Sequence, residues 1–71
     1  MDRNMLLRHL AMAERHVTLG ENHLARQEAL LAELDRDGHD TTDALAIQET
    51  MRHTQTLQMQ DRDRLLAQLA L

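Results

Sequence analysis

Seventy-one residues allow one small domain. The composition is lopsided, with 42% apolar residues, two glycines, a formal charge of −4 and no Phe, Trp, Tyr, Pro or Cys. No cysteine means no disulfide framework and no thiolate metal site, no proline and little glycine argue against a turn-rich β fold, and no aromatics means no stacking platform for single-stranded nucleic acid.

The first residues, Met1-Asp2-Arg3-Asn4-Met5-Leu6-Leu7, are broken by Arg8 and His9, too soon for a signal-peptide core. A first helix is predicted over about residues 3–37. Its apolar seam has alternating four- and three-residue spacing: Leu6, Leu10, Ala13, Val17, Gly20, Leu24, Gln27, Leu31 and Leu34. Gly20 costs about 1 kcal/mol against Ala in mid-helix, so close approach of another helix is expected there. Beside the seam run two further rows of seven-residue spacing, Met5, Met12, Leu19 and His9, His16, His23, Leu30. Glu14, Glu21, Glu28 and Asp35, with Arg8, Arg15 and Arg36, lie on the other side.

Arg36-Asp37-Gly38-His39-Asp40-Thr41-Thr42-Asp43 interrupts the pattern. Gly38 can take the left-handed conformation that ends a helix, and Asp40 or Thr41 can cap the next one. The turn is placed at 38–40 and a second helix at about 41–70; so short a turn makes the two helices antiparallel neighbours. The second helix is apolar at its ends, at Leu45, Ile47 and Met51 and at Leu65, Leu66, Leu69 and Leu71, and polar between. Folding back sets Leu31 near Ile47, Gln27 near Met51, Leu24 near Thr54, Gly20 near Gln58 and Ala13 near Leu65. Gln27, Thr54 and Gln58 form a polar waist that sets register. The longest uncharged apolar run, Leu65 to Leu71, is far short of the roughly 20 residues of a membrane span. The expected setting is a bacterial-type cytoplasm.

Two helices cannot enclose a core. Below about 70–80 residues one core rarely supplies more than about 3–5 kcal/mol. Association is the usual remedy, so the expected fold is an all-α, coiled-coil-like antiparallel two-helix hairpin that dimerises into a four-helix bundle. The expected interface comprises Leu6, His9, Leu10, Met12, Ala13, His16, Val17 and Leu19, then Gly20, His23, Leu24, Leu31 and Leu34. Ile47, Met51, Leu65 and Leu69 join it from the second helix. A different helical protein covering the same stripe is the other partner consistent with it.

The histidines are the feature closest to chemistry. Seven-residue spacing separates neighbours by about 10.5 Å along the axis. Zn–N bonds are only about 2.1 Å, so no two of them share one ion. Glu49 and His53, one turn apart, are a two-ligand match only. Histidine gains charge between about pH 5 and 8, so acidification would charge a row beside an apolar interface and weaken it. Asp61-Arg62-Asp63-Arg64 reads as a solvated face with a pair at Asp61 and Arg64, or as a register device if one member is half buried. Nothing points to a catalytic residue, metal site, cofactor or small-molecule ligand: there is no cysteine, no serine and no Gly-rich loop. Met1, Met5, Met12, Met51 and Met59 read as adaptable core filler.

At Ala13-Glu14-Arg15-His16-Val17, Leu19-Gly20-Glu21-Asn22-His23, Ala25-Arg26-Gln27 and Arg36-Asp37-Gly38-His39-Asp40-Thr41 the chain resembles a group of short uncharacterised proteins of alphaproteobacteria. The resemblance continues through Asp61-Arg62-Asp63-Arg64-Leu65-Leu66 and covers most of the chain. It implies a helical hairpin and supplies no site.

The reading is therefore a small non-enzymatic structural or protein-interaction module that self-associates through the apolar, His-flanked face of its first helix. An alternative of another class follows from likeness of architecture to the Rop-like RNA-binding hairpin dimers. It requires Arg8, Arg15, Arg26, Arg52, Arg62 and Arg64 to gather on one face against the acidic total. A histidine-based switch responding to pH or metal is a third.

Overall fold

The computed structural model describes residues 2–71, so Met1 and the role expected for it lie outside the described residues. The chain forms two helices, α1 (Arg3–Arg36) and α2 (Thr42–Ala70), folded back into an antiparallel hairpin 53 × 15 × 14 Å in extent.

Each helix end has an identifiable cause. Asp2 caps α1, accepting the Met5 amide at 2.9 Å through Oδ1. At the other end Gly38 has φ 76°, a conformation that a Cβ disfavours. There the Gly38 amide donates to Asp35 O and the His39 amide to Leu34 O, closing the paired bonds of a Schellman motif. Of the two residues expected to cap α2, Asp40 supplies the side chain. Its Oδ1 accepts from the Thr42 hydroxyl at 2.7 Å and the Thr42 amide at 3.0 Å, while the Thr41 side chain makes no capping bond.

Those two bonds, the hydroxyl's being the stronger influence, hold the Asp40 carboxyl below the usual aspartate range. A lowered folded-state pKa gives stability that is present above the unfolded value and lost as pH falls through the folded one. The stability difference between the wild type and an Asp40→Ala variant should therefore hold at neutral pH and shrink only below about pH 4. Thermal melts followed by circular dichroism across that range test this, and a difference independent of pH would count against it.

The seam of α1 lies against α2 as the spacing predicts. Leu6, Ala13, Val17 and Leu31 are buried, and Leu10, Gly20, Leu24, Gln27 and Leu34 are half-buried. The core is densest at the open end, where Leu6, Ala13 and Leu65 pack with Leu10 and Leu69. On α2 the inward row is Ala44, Gln48, Met51, Gln55, Gln58, Arg62, Leu65 and Leu69. This corrects the expected pairing of Leu31 with Ile47. Ile47 is 55% exposed, Thr54 is exposed, and the inward places beside them belong to Gln48 and Gln55. Rotating α2 to bury Ile47 would carry Asp61, fourteen residues on, toward the seam. Taking that carboxylate out of water costs more than one isoleucine gains. Buried glutamines can instead hydrogen-bond across the hairpin. Gln55 Nε2 donates to Val17 O at 2.9 Å and Gln27 Nε2 to Ala44 O at 3.3 Å.

Candidate functional site

The seven-residue rows divide the outside of the hairpin into two unlike faces. The first carries Met5, Met12, Leu19 and His9, His16, His23, Leu30 from α1. Across the groove from them stand the α2 rows Ile47, Thr54, Asp61 and Thr50, Leu57, Arg64, Leu71. Among the described residues ten large apolar side chains are exposed, and six of them stand in the helical rows of this face: Met5, Met12, Leu19, Leu30, Ile47 and Leu57. Its charges, Arg26, Glu33, Asp43, Asp61 and Arg64, nearly cancel, and Arg64 is paired with Asp61 as its spacing predicts. The apolar stripe expected on the first helix is thus one half of a wider surface. Ile47 belongs to the expected interface, whereas Leu57 does not stand out in the sequence because its row otherwise carries Thr50 and Arg64.

The second face is acidic. Glu14, Glu21, Glu28 and Asp35 line its α1 edge, and α2 adds Glu49 and Asp63. Arg52 answers this charge, 3.6 Å from Glu28 and 4.0 Å from Glu49. At half-exposed positions such pairs contribute about 0–1 kcal/mol. The Asp61–Arg64 run divides in the same way. Asp61, Asp63 and Arg64 are exposed, while Arg62 is half-buried in the seam with its guanidinium 3.1 Å from Asp63.

At mid-length the first face opens into a groove of about 280 Å³ over Gly20 and Gln55. Its rim is formed by His16, Leu19 and His23 on one side and Thr50 and Thr54 on the other. Gly20 permits a close approach here, but by a side chain. A methyl group at Gly20 would collide with Gln55 Oε1 and stand 2.7 Å from Gln55 Cδ and 3.1 Å from Gln58 Oε1. Because Gln55 spends its amide N–H on Val17 O, its oxygen is what faces the glycine. That oxygen is buried and has no hydrogen-bond partner. Such an orphan acceptor carries about 1–3 kcal/mol of unrecovered desolvation. Gln48 and Gln55 continue inward the spacing of fours and threes that runs back from Leu69 and Leu65, but the apolar residues Leu45, Ile47 and Leu57 between them obscure it.

His9, His16 and His23 are all exposed, and among the described residues no group of three or more histidines and carboxylates stands close enough to hold a metal ion. The six arginines named above do not share a face: Arg52 lies against Glu28, Arg62 against Asp63 and Arg64 against Asp61. Among the described residues no helix is long and apolar enough to cross a membrane. No family model, curated protein or solved structure matches the chain.

Proposed function

We propose that this chain is a small non-enzymatic interaction module that self-associates through its first face, two hairpins forming a four-helix bundle. The observation that carries this reading is the segregation of exposed apolar side chains onto the face whose charges nearly cancel, away from the edges that carry Glu14, Glu21, Glu28, Asp35, Glu49 and Asp63. Two copies meeting through the first face bring apolar rows together without net repulsion; meeting through the second would stack carboxylates. The size is also adequate. A hairpin 53 Å long and 15 Å wide leaves room along one side for the about 800 Å² per partner of a standard protein interface. The energetics point the same way, since among the described residues only Leu6, Ala13, Val17, Leu31 and Leu65 are buried apolar side chains and one core of this size supplies little. Nothing draws the arginines into an RNA-binding patch, so that alternative has no observation in its favour.

Solution mass by light scattering after size exclusion tests the proposal. Detection must be by refractive index, because the chain has no Trp or Tyr. Twice the 8.2 kDa chain mass is expected across a range of concentrations near neutral pH. A monomer mass throughout would refute self-association. The cytoplasmic setting belongs to the same proposal.

A further inference from the structure

We propose that the groove over Gly20 and Gln55 is the central layer of the self-interface, a site that a second copy completes. The proposal rests on the self-association argued above and adds where the two copies meet.

Position is the first argument. Gly20 lies at the middle of α1 (Arg3–Arg36), and Gln55 and Gln58 lie at the middle of α2 (Thr42–Ala70). Two hairpins stacked face to face by a two-fold axis can set their turns at the same end or at opposite ends. With the turns at the same end each level of one copy meets the same level of the other, and with the turns at opposite ends the pairing that buries the whole face sets the axis at mid-length. The groove therefore faces its own counterpart whichever way the turns point.

Chemistry is the second. Beneath the groove floor lies a buried acceptor with no partner, Gln55 Oε1, turned toward Gly20 in a residue only 6% exposed. Gln58 Oε1 converges on the same glycine. With the Thr50 hydroxyl committed to Ala46 O, the donors left on the groove's rim are the imidazoles of His16 and His23 and the hydroxyl of Thr54. Within one hairpin none of them reaches Gln55 Oε1. A facing copy brings a second set of these donors to the same level. The apolar neighbours follow the same logic. Leu19 lines the groove at 53% exposure and Leu57 stands in the outer row of the same face at 51%, and a second copy supplies Leu19 and Leu57 to cover them. A single buried polar group at such a layer fixes register, because any slip leaves it unpaired again.

Cross-linking tests this on a chain that has no native cysteine. Two cysteines bridge only when their Cα atoms come within about 7 Å. Turns at opposite ends put α1 against α1, so Leu19→Cys alone should give a covalent dimer on oxidation. Turns at the same end put α1 against α2 of the other copy, so Leu19→Cys combined with Leu57→Cys should do so. In whichever form cross-links, the rate should exceed that of Thr18→Cys, at the same level on the outer side of α1, by at least about tenfold. Adding Gln55→Leu should lower that rate several-fold while a dimer persists, because the register is no longer fixed. A dimer by light scattering that neither form cross-links would overturn the central layer and leave self-association standing. A cross-linking rate unchanged by Gln55→Leu would overturn the role of Gln55. A monomer by light scattering would remove both proposals.

Discussion

Gly20→Ala is expected to destabilise the hairpin by about 1 kcal/mol, and the same change in a Gln55→Ala chain to stabilise it by about 1 kcal/mol. Two opposed effects set these signs. In a helix interior Ala is worth about 0.8–1.0 kcal/mol more than Gly, through backbone entropy alone. In the native chain, however, the added methyl occupies the space of the Gln55 carboxamide, which lies 2.7 Å away at Cδ and closer still at Oε1. The carboxamide must swing off, and its N–H then leaves Val17 O. A buried donor without a partner costs about 1–3 kcal/mol, which outweighs the gain in propensity. Shortening Gln55 to Ala removes the obstacle, so only the propensity gain remains. Gln58, half-buried on a flexible stem, can give way. For a domain of this size 1 kcal/mol corresponds to roughly 4–8 °C in Tm. Melts of the four chains at one fixed protein concentration complete the cycle. Equal effects of Gly20→Ala in both backgrounds would mean that the Gly20–Gln55 contact carries no energy.

The same contact marks the limit of what the sequence discloses. The seam of α1 is legible because apolar residues occupy most of its inward places, and the turn because Gly38 and Asp40 each have a local reason to be there. The helix ends follow closely, at Arg36 and Thr42 against expected ends near 37 and 41. The rotation of α2 is not legible from apolar residues. Its inward row carries Gln48, Gln55, Gln58 and Arg62, while Leu45, Ile47 and Leu57 stand outside. Reading strength from hydrophobicity therefore selects the wrong side of α2 at Ile47. What decides is hydrogen-bonding capacity: a glutamine can satisfy a donor on a carbonyl of the facing helix, as Gln55 does on Val17. The candidate face has the same character. Its α1 half shows as heptad rows, but its α2 half shows only once the rotation is known.

Leu65→Ala is expected to unfold the hairpin at room temperature. Leu65 is the most buried core residue, at 2% exposure, and it joins Leu6 and Ala13 at the open end where Leu10 and Leu69 also pack. Truncating a buried leucine costs about 2–5 kcal/mol, the lost transfer energy plus the cavity left behind. A core of this size supplies about 3–5 kcal/mol in all, so one truncation consumes most of it. Relaxation offers little rescue, because Ala13 in the same cluster has only a methyl group and cannot extend into the gap. Leu66→Ala is the matched control. It makes the same chemical change one residue along the same helix, but Leu66 is 44% exposed on the acidic face. Its loss removes little buried surface, and Ala is at least as good a helix former. Circular dichroism at 222 nm should then show the helical signal lost in the first variant and kept in the second. The contrast holds whether or not the hairpin pairs with a second copy, since Leu65 packs within one hairpin. Equal stability of the two variants would mean that the open-end cluster is not what holds α1 to α2.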